Sequence, residues 1–154
     1  IRNKYNLLVG AGVAEQIKIN IGSAYPLAVE KTMEVRGRNL VTGLPESIEL
    51  SSIEIRESLS GSVQVIVDTI RDALDEAPPE SVSDLMENGI CIAGGGALSQ
   101  GLAERLSEDL NLRVWQAEDP LTCVCRGAGL VLEDFEHMDN YLVSLERGST
   151  RHNV

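Results

Sequence analysis

The chain is poor in positive charge. Its 154 residues include 13 Lys and Arg against 24 Asp and Glu, which gives a formal net charge of −11 at pH 7. The basic residues are also scattered along the sequence, so they form no run that would attract a polyanion. This balance makes duplex nucleic acid and anionic membrane surfaces poor partners for the chain.

Long apolar runs, histidine and cysteine are also scarce. No stretch approaches the roughly 20 apolar residues that span a bilayer. The two His and three Cys form no group with metal-ligand spacing, and Cys123 and Cys125 point to different faces of a predicted helix. So few cysteines favour a reducing compartment, with Cys91 as a small buried hydrophobe in a strand. The sequence therefore predicts neither a membrane span nor a metal site.

The sequence contains no self-contained catalytic centre. It has no Ser/His/Asp or Cys/His arrangement and no lysine-containing phosphate loop. The length suits one domain with a real core, or two small subdomains. Because the first residues from Ile1 have no leader or cap character, we expect the chain to be a piece of a longer protein.

The most informative segment is residues 90–98, a short apolar run that leads into three consecutive glycines, Gly94, Gly95 and Gly96. Leucines at 98, 102, 106 and 110 follow at the spacing of one helix face, which predicts a strand, a glycine turn and a helix. Glycines let a ligand approach the backbone, and a helix start offers free N–H groups and partial positive charge. The pattern therefore suits a nucleotide, although such turns also serve tight packing alone.

Periodicity and turn residues predict two structural parts. The predicted elements are a helix over 12–21, strands over 32–37 and 47–50, a helix capped by Ser51 and Glu54 that ends at Pro78, a short helix over 81–86, a strand over 89–93, a helix from 98, a strand over 112–115, and a last helix capped by Asp119 and Pro120 that runs to Phe135. The order of strands and helices from residue 89 onward is typical of a parallel α/β sheet. The earlier helix, hairpin and helix are typical of an α+β insertion. We place the boundary near Pro78, which gives parts 1–77 and 78–146 and a polar, frayed tail 147–154.

Two charged pairs have both a functional and a plain interpretation. Glu15 and Lys18 lie three residues apart on the first helix, where the plain interpretation is a solvated salt bridge. Arg36 and Arg38 flank a glycine, where the plain interpretation is an exposed strand edge.

Several stretches, taken together, resemble one known family. They are residues 6–10, 14–24, 34–40 with 43–45, 78–80, 94–98, and 118–122 followed by 126–129. The set resembles the C-terminal half of the MreB family, bacterial actin-like proteins that determine rod shape, over about residues 5–135. The Val-Arg-Gly-Arg-Asn stretch at 35–39 is far more specific than the triple glycine, which other actin-fold ATPases share.

The resemblance implies the actin, sugar-kinase and chaperone ATPase fold, in which two lobes enclose ATP and magnesium. The chain would form most of the second lobe, a parallel-sheet α/β subdomain with a smaller α+β insertion subdomain. The glycine backbone would then face the ribose and the α-phosphate. The two residues after the glycines would lie near the purine, and the charged pair on the first helix would approach the ribose and adenine. The residues so implied are Glu15, Lys18, Gly94, Gly95, Gly96, Ala97 and Leu98.

The same resemblance implies what the chain lacks. Both phosphate loops, the magnesium-holding acidic residues, the catalytic carboxylate and the membrane-binding elements belong to the portion before Ile1. The chain alone is therefore expected not to hydrolyse ATP, whereas the longer protein is. The expected partners are further copies in a filament, wall-synthesis proteins and membrane-anchored shape proteins, at the inner face of the cell membrane. The Arg36–Arg38 hairpin is a candidate longitudinal contact, and Gly127 to Gly129 a site of close packing between lobes.

Two other functions are compatible with the residues. One is a metabolic kinase or chaperone of the same fold, and the other is a docking module with a vestigial nucleotide corner.

Overall fold

The computed structural model describes residues 1–138, and the predicted tail 147–154 lies outside the described residues. The first half of the chain packs helices on a three-stranded antiparallel sheet. Its elements are α1 (Arg2–Tyr5), β1 (Leu7–Leu8), α2 (Ala11–Ile21), β2 (Thr32–Asn39), β3 (Pro45–Ser51) and α3 (Ser52–Glu76). The predicted helix, hairpin and long helix are all present. The short α1 and β1 were not predicted.

Strand β2 lies between β1 and β3, and β1 covers the end of β2 at Arg38 and Asn39, so the interpretation as an exposed strand edge is wrong for Arg38. Arg36 pairs only with Ser47 of β3 and lies beyond the end of β1. β3 pairs with one side of β2, and β1 pairs with the other, with Leu8 opposite Arg38. β1 has only two residues and no alternating pattern, which is why the sequence did not indicate it. The side chain of Arg36 is nevertheless exposed, 3.5 Å from Glu34, and Arg38 Nε donates to the Gly43 carbonyl at 3.2 Å.

The second half of the chain contains a parallel strand pair, as predicted. Its elements are α4 (Pro79–Asn88), β4 (Ile90–Ile92), a 3-10 helix (Gly95–Leu98), α5 (Leu102–Leu110), β5 (Val114–Gln116), α6 (Cys123–Glu133) and α7 (Phe135–Met138). β4 and β5 run parallel, with Ile90 opposite Val114. Cys91 and Trp115 pair on the other face of this sheet and both are exposed, so the prediction of a buried Cys91 is wrong.

Two helices begin later than predicted. α5 begins at Leu102 because the glycines form a separate 3-10 helix, and Gly101 breaks the chain direction with φ +74°. A side chain at 101 would also lie 2.6 Å from Tyr25 Cβ. α6 begins at Cys123, so the prediction that Asp119 and Pro120 cap this helix is wrong. Asp119 is left-handed, with φ 51°, and its carbonyl accepts from the N–H groups of Thr122 and Cys123.

The apolar core consists of two clusters that share helix α3. The first comprises Ile17, Ile21, Val35, Leu50 and Ile55, and the second Ala24, Val63, Val67, Leu102, Leu106 and Val114. The N-terminal half of α3 thus packs with α2 and the sheet, and its middle packs with α5 and β5. The domain boundary near Pro78 stays a prediction. No helix among residues 1–138 is both long and apolar enough to cross a membrane.

Glu54 fastens the N-terminal helix α1 to the start of α3. Its carboxylate accepts from Lys4 Nζ at 2.5 Å and from the Tyr5 hydroxyl, and it closes the capping box with Ser51. The Lys4 ammonium foremost, then Tyr5 and Ser51, hold the pKa of Glu54 at about 2, below its usual value of 4.5. Because the pKa is lowered on folding, this contact stabilises the fold above about pH 4.5 and is lost as the pH falls toward 2.

We expect Glu54→Gln to lower the urea midpoint of unfolding at pH 6, and the gap to wild type to narrow at pH 3. The neutral amide keeps the size of the side chain but loses its pH-dependent attraction to Lys4. Glu57→Gln, at an exposed position in the second turn of α3, is the control and should change neither midpoint. A gap that is the same at both pH values would contradict this account of Glu54.

Candidate functional site

Helix α2 and the 3-10 helix face each other across a cavity of about 430 Å³. Of the residues predicted to meet a nucleotide, Glu15, Lys18, Gly95 and Leu98 line this one space, although some 80 positions of sequence separate the two pairs. The other lining residues are Ile19, Ser99, Gln100 and Leu121. We call this space the α2–turn cavity.

The glycine turn presents open backbone. Gly94 has φ +82°, a conformation that favours glycine, and its N–H donates to the Pro120 carbonyl at 2.7 Å. The N–H groups of Gly95 and Gly96 begin the 3-10 helix, where the helix itself supplies no acceptor. A Cβ at Gly95 would meet only Leu121 Cδ2, at 3.6 Å, and one at Gly96 would meet nothing within 4 Å. Contacts among the described residues therefore do not require glycine at 95 or 96, so tight packing does not account for them.

The two residues after the glycines have different environments. Leu98 is half-exposed and lines the α2–turn cavity, whereas Ala97 is only 4% exposed and packs in the core. Ala97 therefore supports the turn from behind rather than presenting its side chain to the cavity. Gly94 and Gly96 do not line this cavity, although Gly96 lines a smaller one beside it.

Glu15 and Lys18 are exposed on α2 and line the cavity together. In the described part of the chain no ion pair within 4.0 Å joins them, so the solvated salt bridge is not formed. Their charged groups are available to a ligand. A carboxylate accepts hydrogen bonds from hydroxyls, and an ammonium donates to ring nitrogens or phosphate oxygens.

A polar network fixes the end of α2 against the glycine turn. The Ala24 N–H donates to the Gln100 carbonyl at 2.7 Å, and Ser23 forms a parallel bridge with Gln100. Arg56 donates to the buried Ser23 Oγ at 3.1 Å and pairs with Glu30 at 2.8 Å. The two walls of the cavity are thus held in place without a ligand.

Sequence reasoning missed several residues of this site. Gln100 and Ser99 follow the glycines directly and had no pattern of their own. Leu121 lies in the stretch 118–122 that carried the resemblance, so its presence in the cavity could have been proposed from that stretch. Ile19 follows the Glu15–Lys18 pair but was assigned no role.

The arrangement of these residues can hold a ligand. Leu98, Leu121 and Ile19 provide apolar surface for a flat ring, and Glu15 and Lys18 provide polar contacts. Among residues 1–138 no group of three or more His, Cys, Asp or Glu is placed to hold a metal ion.

Another cavity of about 390 Å³ lies beside α3 and α5, but its two arginines are already paired with carboxylates. Arg56 contacts Glu30, and Arg105 contacts Asp109 at 2.5 Å. Glu57 and Glu108 add negative charge to its wall. A phosphate-bearing ligand is therefore expected at the α2–turn cavity rather than here.

Comparison with known proteins defines the class of this fold. The structure of MreB5 of Spiroplasma citri bound to ADP matches with a TM-score of 0.85 and 35% identity, covering 91% of this chain and 43% of that one. The MamK double helical filament matches with a TM-score of 0.70 at 22% identity, covering 86% of this chain and 40% of that one, which shows the fold alone. The chain therefore forms the second lobe of an actin-like fold, as predicted.

The family follows from the sequence comparisons. The family model described as MreB/Mbl protein matches residues 1–140, and the chain belongs to this family. The cell shape-determining protein MreB of Escherichia coli K12 is 47% identical over 133 residues, 86% of this chain and 38% of that protein. The cell shape-determining protein Mbl of Bacillus cereus is 41% identical over 138 residues, 90% of this chain and 41% of that protein. The chain therefore spans about two fifths of the length of these relatives.

Proposed function

We propose that the chain forms the adenosine side of the nucleotide cleft in an actin-like cytoskeletal ATPase, whose ATP-dependent filaments maintain rod shape by organising cell-wall synthesis. The observation that carries the proposal is the α2–turn cavity, in which Glu15 and Lys18 face the open backbone at Gly95. The Spiroplasma citri relatives, solved with ADP and with AMPPNP, support the choice of an adenine nucleotide.

The cavity suits the nucleoside end of ATP. The apolar side chains Leu98 and Leu121 would contact the base, and Glu15 would accept hydrogen bonds from the ribose hydroxyls. The free N–H groups at the start of the 3-10 helix would approach the α-phosphate.

The remaining part of the ATP, with its magnesium, requires groups that this chain does not assemble in its described residues. Phosphoryl transfer needs a metal ion and aligned phosphate clamps. We therefore assign these to the remainder of the longer protein, and expect the chain alone to bind at most the nucleoside end and not to hydrolyse ATP.

The filament and its partners extend the proposal. The relatives are cell shape-determining proteins, and MamK was solved as a double helical filament. The β2–β3 hairpin carries the exposed apolar residues Val41 and Leu44 in its turn and the exposed Arg36 on β2, which makes it a candidate longitudinal contact. Wall-synthesis and membrane-anchored shape proteins are the proposed partners at the cytoplasmic face of the membrane, which the absent lobe would contact. The kinase, chaperone and docking alternatives lack comparable support.

Pelleting of the full-length protein, meaning the chain with the remainder that its relatives possess, tests this function. We expect it to sediment at high speed only with ATP and magnesium, and to release phosphate slowly. A protein that stays in the supernatant and turns over ATP only with an added small molecule or peptide would instead support the kinase or chaperone branch.

We expect the double variant Glu15→Ala, Lys18→Ala to weaken nucleotide binding by the full-length protein about tenfold, which corresponds to about 1.4 kcal/mol. The reason is the loss of two polar contacts to the nucleoside, each of modest net strength. Calorimetric titration with ATP and magnesium measures the change. The control is Gln16→Ala with Asn20→Ala, two exposed positions on the same helix outside the cavity. Unchanged nucleotide affinity in the double variant would show that Glu15 and Lys18 do not contact the nucleotide.

A further inference from the structure

The cavity of about 390 Å³ beside α3 and α5 is separate from the proposed nucleotide site. None of its described lining residues belongs to the α2–turn cavity. Three segments form its walls, residues 24–26 after α2, 56–63 of α3 and 105–109 of α5. Its volume lies within the range of about 300 to 1,000 Å³ that is typical of small-molecule sites. We call this space the α3–α5 cavity.

The two arginines that line the α3–α5 cavity are already engaged. Arg56 Nη2 lies 2.8 Å from Glu30 Oε1, and Arg56 Nη1 donates to the buried Ser23 hydroxyl at 3.1 Å. Arg105 Nε donates to Asp109 Oδ2 at 2.5 Å. Because each guanidinium has a carboxylate beside it, neither arginine is free to bind an anionic ligand.

Two further carboxylates line different walls of the cavity, Glu57 on α3 and Glu108 on α5, and both residues are exposed. Within residues 1–138 no ion pair shorter than 4.0 Å includes either of them. Glu108 lies beside Tyr25, since a hydrogen bond between their side chains raises the pKa of the Tyr25 hydroxyl. The cavity therefore offers two negative charges that the described part of the chain leaves available to a cation.

Apolar surface lines the same space. Val63 and Ala24 are buried, with 8% and 7% of their surface exposed, and both belong to one core cluster that holds them in place. Pro26 and the Tyr25 ring extend this surface, and the face of an aromatic ring attracts an ammonium group. A ligand that combines an aliphatic chain with a positive charge at each end matches these walls.

We propose that the α3–α5 cavity binds a short aliphatic diamine, whose two ammonium groups pair with Glu57 and Glu108 and whose methylene chain packs on Val63 and Ala24. An aliphatic amine is protonated at neutral pH, because its pKa is close to that of a lysine side chain, about 10.4. The proposal does not depend on nucleotide binding elsewhere in the chain.

Titration of the full-length protein with diaminobutane, which has an amino group at each end of its chain, tests the site. With 13C-labelled tyrosine and alanine, we expect saturable shifts at Tyr25 and Ala24 at low ionic strength, where screening is weak. The double variant Glu57→Gln, Glu108→Gln should weaken binding at least about tenfold, a loss of about 1.4 kcal/mol. The neutral amides keep the size of the side chains but lose the charge-assisted contacts. Unchanged affinity in this variant would overturn the site.

The control must remove the same charge elsewhere, because the chain carries a net charge of −11 and attracts any diamine weakly. Glu76→Gln with Glu104→Gln removes two exposed carboxylates from the same two helices, outside the cavity. This control should bind diaminobutane as the wild type does, and so should Glu15→Gln in the α2–turn cavity. Equal losses in the control and in the double variant would show non-specific attraction only and overturn the site.

A ligand series in the unchanged protein keeps the test independent of any folding defect in the variants. Butylamine keeps the aliphatic chain with one charge, and butanediol keeps the chain with none. We expect butylamine to bind more weakly than diaminobutane by a factor of about three or more, since it forms one ion pair instead of two. Butanediol should leave the Tyr25 signals unchanged. Equal affinity for diaminobutane and butylamine, or saturable shifts with butanediol, would overturn the assignment of a diamine.

Discussion

Gly95→Arg is expected to weaken nucleotide binding by the full-length protein at least about 100-fold, a loss of about 2.7 kcal/mol. Gly95 lines the α2–turn cavity, and its Cβ position is open apart from Leu121 Cδ2 at 3.6 Å. Because φ at Gly95 is not in the left-handed region, the local backbone accepts a side chain without strain. The arginine would therefore fold into place and fill the space that the nucleoside needs.

The matched control for this variant is Gly61→Arg. Gly61 lies in α3, an added Cβ there meets nothing within 4 Å, and the residue lines neither cavity of the site. It adds the same charge and bulk to the protein. Calorimetric titration with ATP and magnesium compares the two variants, and circular dichroism confirms that both are folded. Wild-type affinity in a folded Gly95→Arg protein would show that the nucleotide does not occupy this cavity.

The sequence predicted those elements that carry a strong local signal. The capping box at Ser51 and Glu54 marks the start of α3, and Pro78 marks its end, because a proline cannot continue a helix without loss of a hydrogen bond. The alternation before and after the turn at 41–45 predicted the β2–β3 hairpin. Short elements with no periodicity were missed, since α1 and β1 form only through tertiary contacts such as those of Glu54 with Lys4 and Tyr5.

The candidate site could be predicted only in part, for a related reason. The triple glycine is a local signal, and the pairing of Glu15 with Lys18 on a helix is another, but nothing in the spacing indicates that the two lie together. The resemblance supplied that step, and the structure brings Glu15, Lys18 and Gly95 to one cavity. The contacts that hold the walls in place, between Ser23, Arg56 and Gln100, depend on long-range geometry and have no sequence pattern.

The second large effect is expected from a substitution in the apolar cluster that supports the glycine turn. Leu106 of α5 is 1% exposed and packs in the cluster with Val63, Val67 and Val114. α5 follows the glycine turn directly, so this cluster anchors the turn to α3 and β5. We expect Leu106→Ala to reduce the free energy of unfolding by about 3 kcal/mol, since removal of a buried leucine loses its transfer free energy and leaves a cavity.

Urea denaturation measures the effect of Leu106→Ala. The control is Glu104→Ala, an exposed position on the same helix, whose free energy of unfolding should stay within about 0.5 kcal/mol of wild type. Saturating nucleotide should raise the unfolding midpoint of Leu106→Ala, because a ligand that binds only the folded state stabilises it by mass action. Leu106 acts on the site through the stability of α5 and does not contact the cavity, so the affinity of the folded protein should change little. A loss below about 1 kcal/mol would show that α5 is not packed as described. A large loss of affinity at temperatures where the variant is folded would instead place Leu106 in the positioning of the turn itself.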